Sequence, residues 1–431
     1  MVTTALAVHE DDFNSPTGNF PPGFKQSEIG LIPVGWNTAR LGDVLEFQNG
    51  VNADARDYGS GIPFANVLEV LTHSHLKEAQ IPGRVRLPPA KIRDYQVRKG
   101  DILFNRTSET QEELALVSVY IDDADVVFGG FVIRGRPKDA DFDSYYCGYA
   151  WRHEIVRRQI IARGQGAVRA NIGQSDLRTV IVPKPPLPEQ QAIAEALSDA
   201  DTLIDALESL ISKKRAIKQG AMQELLTGKR RLPGFKNAWS EKEIWEVADV
   251  DSDSLGAATN PSYVFQYISL EDVERGVLKS TTEVAFGSAP SRARRRVRKD
   301  DVLFGTVRPN LQSHCIIAEE VKDYVCSTGF AVIRCRPAQA VPRFVLAALF
   351  GAEIQTQIER LIAGSNYPAV NSGDVKKLRI FMPDPEEQGA IASALTDMDD
   401  QTTALQQKLA KARQIKQGMM QELLTGRVRL V

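Results

Sequence analysis

Two long stretches of this chain place an apolar residue every three or four positions. In the later stretch the series is Ile391, Leu395, Met398, Thr402, Leu405, Leu409 and Ala412. In the earlier one it is Ile193, Leu197, Ala200, Ile204, Leu207 and Ile211, after which the register shifts toward Ile217. Steps of this kind draw one narrow apolar stripe along a helix, and so narrow a stripe asks for a partner helix. Proline-rich segments precede both runs (Pro183 to Glu189, Pro383 to Glu387), and Gly228 and Gly426 follow them. That is the expected punctuation of helix starts and ends. Glu189 to Leu226 alone is 38 residues, or about 57 Å of helix.

Upstream of each helix the pattern changes to short apolar runs bounded by Gly, Asp and Pro, the signature of strands. These runs occur twice. Val97-Arg-Lys-Gly-Asp-Ile-Leu-Phe104 returns as Val297-Arg-Lys-Asp-Asp-Val-Leu-Phe304, and Ile133-Arg-Gly-Arg-Pro137 as Ile333-Arg-Cys-Arg-Pro337, both 200 residues on. A helical stretch follows in each half (Tyr145 to Ala162, Arg343 to Ile362), then Gly164 or Gly364, a polar loop to Asn171 or Asn371, and a strand ending at Pro183 or Pro383. The helix endings repeat most closely: Ile217 to Leu232 recurs as Ile415 to Leu430 with 13 of 16 residues identical at an offset of 198. Solenoid repeats are far shorter than this period. The chain therefore reads as a duplicated α/β (α+β) domain, each copy followed by a long helix. The predicted division is a flexible extension over 1–20, a first domain over 21–184, a central helix over 185–228, a second domain over 229–384 and a terminal helix over 385–431.

Charge predicts how the helices pair. Their first halves are acidic (Glu195, Asp199, Asp201, Asp205 and Glu208; Asp397, Asp399 and Asp400), and their second halves are basic (Lys213, Arg215 and Lys218; Lys411, Arg413 and Lys416). Parallel pairing would stack like charges, whereas antiparallel pairing sets acid against base. An antiparallel pair with pseudo-twofold symmetry is the expectation.

Composition adds bounds rather than chemistry. The chain has 431 residues, 43% hydrophobic and 25% charged, with a net charge of −2, an ordinary globular profile. Four cysteines without a Cys-x-x-Cys pair, and no signal-like or membrane-length apolar run, predict a reduced cytoplasmic protein. Neither a phosphate loop nor a dinucleotide turn is present, and His73-Ser-His75 has no third ligand nearby. With five histidines and no repeated His/Asp or Cys/His pair, recognition is the expected role and not catalysis.

Polar loops after matching strands supply the recognition candidates. They are Asn105, Arg106, Thr107, Gln165, Arg169 and Asn171 in the first domain, and Arg308, Asn310, Gln312, Ser365, Asn366, Tyr367 and Asn371 in the second. Arg can bond guanine through two donors, and Asn or Gln can bond adenine in the same way. Arg93, Arg98 and Lys99, with Arg294, Arg296 and Arg298, lie in basic runs of the kind that hold phosphates. The helix frames are nearly identical between halves while these loops differ, so two domains in a common frame could read two different things.

At this point the chain resembles the specificity subunits of type I restriction-modification systems. The motifs are Pro-x-x-Glu-Gln-x-x-Ile (Pro186 to Ile193, with the related Asp384 to Ile391), the repeated Lys-Gln-Gly-x-Met-Gln-x-Leu-Leu-Thr-Gly endings, and the openings Phe24-Lys…Ile29-Gly-Leu-Ile-Pro-Val-Gly-Trp36 and Phe235-Lys…Trp239. The second opening lacks the Ile-Gly-x-Ile-Pro segment. The resemblance implies two target recognition domains reading the halves of a split double-stranded DNA sequence, with the helices as the ruler between them. It also implies docking of two methyltransferase subunits on helix positions such as Ile193, Leu197, Ile204, Leu207, Ile391, Leu395, Leu405 and Leu409, and of restriction/translocase subunits. S-adenosylmethionine, ATP and Mg would then belong to those partners, with no cofactor or metal in this chain. The competing reading is a coiled-coil scaffold without sequence readout.

Overall fold

The computed structural model describes residues 21–164, 170–363 and 368–430. The chain divides into two compact units, one comprising residues 1–207 and 408–431 and the other residues 208–407. Each unit therefore combines a globular domain with the first part of its own long helix and the last part of the other.

In the first unit a five-stranded sheet runs in the order Leu45–Asn49, Val132–Pro137, Ile102–Asn105, Val117–Tyr120, His75–Leu76. Beside it stands a four-stranded sheet, Arg84–Val85, Tyr58–Ala65, Val126–Phe128, Gln96–Val97. Ile102–Asn105 and Val117–Tyr120 are buried at every position, which is why Ile102-Leu-Phe104 reads as a continuous apolar run and not as an alternating one. The predicted helical stretch is two helices, Ser144–Ala150 and Glu154–Ile161, and the final strand Ile181–Lys184 pairs with Asn37–Arg40. The second unit repeats this plan with sheets of four strands each. One is Ala248–Val250, Phe330–Cys335, Val302–Gly305, Cys315–Ile316; the other is Thr282–Ala285, Val264–Ile268, Tyr324–Ser327, Ala293–Val297. Its helices are Pro342–Leu349 and Ala352–Ile362.

The repeated strand motifs meet each other in space. Asp101, 2% exposed, accepts the Arg98 amide (2.7 Å) and both guanidinium donors of Arg136 (2.9 and 2.7 Å). Asp301 accepts the Arg298 amide (2.8 Å) and both donors of Arg334 (2.8 and 2.7 Å). These bonds hold both guanidinium groups above their usual pKa. The equivalence corrects the sequence match of Ile133-Arg-Gly-Arg-Pro137 with Ile333-Arg-Cys-Arg-Pro337. Ile102 lies opposite Gly135, but Val302 lies opposite Ile333, so Arg136 corresponds to Arg334 at an offset of 198. The strand is slipped by two residues against its apparent sequence match, a shift that keeps each side chain on its face.

The long helices are Leu187–Leu225 and Pro385–Leu423, 39 residues each. Within the first unit Glu189 bonds Arg429 and Asp201 bonds Lys416; within the second, Glu387 bonds Arg231 and Asp399 bonds Lys218. In each unit the partner number falls as the first number rises, so the helices pack antiparallel, acidic half against basic half. Lys214 adds a bond to Gln401 (2.9 Å) in the second unit.

The apolar stripe serves a second purpose. Ile193 and Leu197 lie in the first unit's core together with Leu423 and Leu424. Ile391 and Leu395 lie in the second unit's core together with Leu225 and Leu226. Each domain is thus completed by the repeated Leu-Leu-Thr-Gly ending of the opposite helix. This corrects the expectation that Ile193, Leu197, Ile391 and Leu395 offer a docking surface, because all four are at most 3% exposed. Ile204 is also buried, while Leu207, Leu405 and Leu409 are half-buried.

Candidate nucleic-acid interface

The two candidate loops of the first unit come together. Just past the strand Ile102–Asn105, Thr107–Ser108 pairs antiparallel with Ala170–Asn171. The Arg106 amide donates to the Phe131 carbonyl (2.7 Å), and the Arg106 carbonyl accepts the Ile172 amide (3.1 Å). Thr107 Oγ1 donates to Asn171 Oδ1 (2.6 Å). Arg106 and Asn171 are exposed and Thr107 is half-buried, so this edge presents a guanidinium, a hydroxyl and a carboxamide together.

The second unit builds the same edge with different residues. The Thr306 amide donates to Gly329 (2.8 Å), the Val370 amide to Thr306 (2.9 Å), and the Arg308 amide to Pro368 (2.8 Å), while Val307 bridges Ala369. The chain then makes a short 3₁₀ turn, Pro309–Leu311, flanked by Arg308 (φ 48°) and Gln312 (φ 57°) in the left-handed region. Non-glycine residues there are uncommon. Arg308 and Asn310 are exposed and Gln312 is half-buried. Asn371 also faces solvent, but it caps the helix Ser372–Lys376, accepting the Asp374 amide (3.0 Å) while Asp374 accepts its own amide (2.9 Å). Gln165, Arg169, Ser365, Asn366 and Tyr367 lie outside the described residues.

Asn105 departs from expectation. It closes a central strand, is fully buried, and its carboxamide has no hydrogen-bond partner among the described residues. A side chain in that position cannot touch a base edge, which corrects its place among the candidates.

The expected phosphate contacts separate into two kinds. Arg93, Arg98 and Lys99 are exposed, and Lys99 pairs with Asp123 (3.2 Å). Arg98 and Lys99 precede Ile102–Asn105, at the opposite end of that strand from Arg106. The arginine strand Ala293–Val297 is largely occupied by its own domain. Arg294 lies over the Phe286 ring at 4.8 Å and Arg296 over Tyr263 at 5.6 Å, and Arg298 pairs with Asp253 at 2.7 Å. Sequence reasoning passed over Arg295 between them. It forms an ion pair with Asp251 (3.0 Å) and donates to Ser372 Oγ (3.0 Å), tying the basic strand to the helix start beside Asn371.

The polar groups most deeply engaged lie elsewhere. Glu189, 2% exposed, accepts Trp36 Nε1 (2.9 Å) and Arg429, whose guanidinium lies over the Trp36 ring. Glu387, fully buried, accepts Trp239 Nε1 (3.1 Å) and both donors of Arg231 (2.6 Å each). The adjacent Gln190 and Gln388 each reach back five residues to a proline carbonyl at 2.9 Å. The recurrence of Trp, Glu-Gln and a terminal Arg at matched positions was the signal available in the sequence, although nothing in the spacing showed that they meet.

Residues 33–218 and 237–416 each match the type I restriction modification DNA specificity domain. The chain belongs to this family. Two curated relatives come from Methanocaldococcus jannaschii. The putative type I restriction enzyme MjaX specificity subunit is 27% identical over 424 residues, covering 94% of this chain and 97% of the relative. The MjaVIII specificity subunit is 22% identical, covering 94% and 96%. The solved type I restriction-modification S subunit of M. genitalium shares the fold at a TM-score of 0.57 and 16% identity, covering 90% of this chain and 96% of that one. As a specificity subunit with two target recognition domains, the chain has its candidate contacts on matching edges of the two domains. Among the described residues no helix is long and apolar enough to cross a membrane.

Proposed function

We propose that each unit reads one half of a bipartite double-stranded DNA target, through Arg106, Thr107 and Asn171 in the first and Arg308, Asn310 and Gln312 in the second. The observation that carries this reading is that equivalent edges, built by the same backbone bonds, present different exposed polar side chains. A structural edge has no need to differ between copies, whereas two different half-sites require it. In this reading the chain catalyses nothing. It docks two methyltransferase subunits and the restriction/translocase subunits in the cytoplasm, and those partners bring S-adenosylmethionine, ATP and Mg.

Methylome sequencing of a host expressing the complete system identifies the target. Arg106→Ala should then relax one half-site, and Arg308→Ala the other, each by about 1–3 kcal/mol of discrimination. Replacing residues 20–180 with another member's domain should change a single half-site, and lengthening both helices by a heptad should change the spacer. Equal affinity of the methyltransferase complex for all sequences would overturn the reading.

A further inference from the structure

Among the described residues, each reading edge carries a large apolar side chain that faces water. Phe131 and Leu311 are both 58% exposed, and each is tied by a single main-chain bond to the arginine of its edge. The Phe131 carbonyl accepts the Arg106 amide (2.7 Å), and the Leu311 amide donates to the Arg308 carbonyl (2.9 Å).

Neither exposure is incidental to a loose loop. Phe131 follows Gly129-Gly130, and a Cβ on Gly130 would stand 2.1 Å from Asn52 Oδ1, so the turn that projects Phe131 is closely packed. Phe131 also borders a cleft of about 610 Å³ that Tyr58, Phe64 and Leu68 share, and Leu68 is itself 68% exposed. Leu311 sits in the turn bracketed by the left-handed Arg308 and Gln312. Each such residue costs about 1–3 kcal/mol and persists only where the surroundings fix it. Here buried Pro309 and the bonds of the Arg308 amide to Pro368 and the Gln312 amide to Pro309 fix it. A turn tip that served only the fold would gain from a polar residue. An apolar side chain held out at a strained or packed turn is a contact awaiting a ligand.

We propose that Phe131 and Leu311 are specificity-determining wedges, each entering the duplex between adjacent base pairs of its own half-site. This rests on the DNA-reading function proposed above. The arginine on the same edge draws the wedge to the groove, and inserted apolar side chains unstack a base step at a cost that depends on the step. The two domains place the wedge differently. The carbonyl that corresponds to Phe131 in the second unit, accepting the Thr306 amide, belongs to Gly329. Distortion is therefore expected at different depths in the two half-sites.

The test uses the full chain in complex with its methyltransferase partner and duplexes carrying 2-aminopurine at successive positions of the identified target. Fluorescence should rise several-fold at one step of each half-site. Phe131→Ala should abolish the rise in one half-site and weaken binding there about tenfold, leaving the other unchanged. Leu311→Ala should do the converse. Both positions are exposed, and unchanged thermal unfolding of each variant confirms that the fold is retained. Sequence-specific binding with no fluorescence change, or unaffected by either substitution, overturns the wedges while leaving the reading function standing. Loss of methyltransferase assembly in Phe131→Ala overturns its wedge in favour of a protein-docking cleft. Failure of the unaltered complex to protect any bipartite site overturns both.

Discussion

Around the ends of the long helices the two units match almost atom for atom. Glu189 holds Trp36 and Arg429, and Glu387 holds Trp239 and Arg231, with both arginines lying over their tryptophans. At the reading edges the backbone bonds also match, yet the side chains do not: Arg106-Thr107 opposite Asn171 in one, a strained Arg308-to-Gln312 turn in the other. Where the partner of a residue lies within the protein, both copies keep the same solution. At the edges proposed to meet DNA, the two copies diverge.

The largest effect should come from breaking the matched part. Removing one member of a buried ion pair leaves the other charge without its partner and costs about 3–5 kcal/mol. Arg429 is partly exposed, with a side-chain accessibility of 30%, so Glu189→Ala should fall near the lower end of that range. Differential scanning calorimetry with hydrogen exchange should show the loss in residues 21–207 and 408–430. Glu387→Ala should move the loss to the second unit. Loss spread evenly over both would mean that the two clamps are not separate.

A pH titration sharpens the contrast at one strand end. The Asn105 amide donates to the Leu116 carbonyl (3.2 Å), whereas the Gly305 amide donates to His314 Nδ1 (3.1 Å). His314 is fully buried and stacked on Phe304, and burial pulls its pKa down to about 3. The unfolded chain, with an ordinary imidazole near 6.5, binds the proton first. The second unit's stability is therefore complete above that value and is lost as pH falls toward 3, by at most about 1.4 kcal/mol per pH unit for this one group. His314→Asn should flatten that slope in urea melts of the second unit between pH 6.5 and 4.

A smaller gain is expected from Asn105→Leu. An unpartnered buried carboxamide costs about 1–3 kcal/mol, so this variant should unfold at a higher temperature by roughly the equivalent of 1 kcal/mol, with unchanged discrimination at the first half-site. The smallest effect belongs to the helix charges. Lys218 and Asp399 are partly exposed, so reversing either should cost about 0.5 kcal/mol, and reversing both should restore it. Additive losses would count against the pairing.

Much of this was legible in the chain. Periodicity marked both helices, because a long stripe is a local property of spacing, although the spans 185–228 and 385–431 run past the observed ends at Leu225 and Leu423. The charge halves predicted their antiparallel pairing, because acid and base have only one favourable alignment. The Leu-Leu-Thr-Gly endings were recognisable as a repeat, but that Leu423 and Leu424 complete the core of the first unit is a long-range contact that no local pattern encodes. Burial was the least legible quantity. Asn105 and Arg106 are neighbours with equal claims to a base edge, and only sheet position puts one inside and the other in water.

The sequence by itself therefore determined the duplication, the element types, the charge logic of the helices and the family, since all of these rest on residue identity and spacing. Only the tertiary structure decided which repeated residues meet. The two-residue slip that aligns Arg136 with Arg334, the closing of each domain by the other helix, and the exposure of Phe131 and Leu311 follow from strand pairing and packing between residues far apart in the chain.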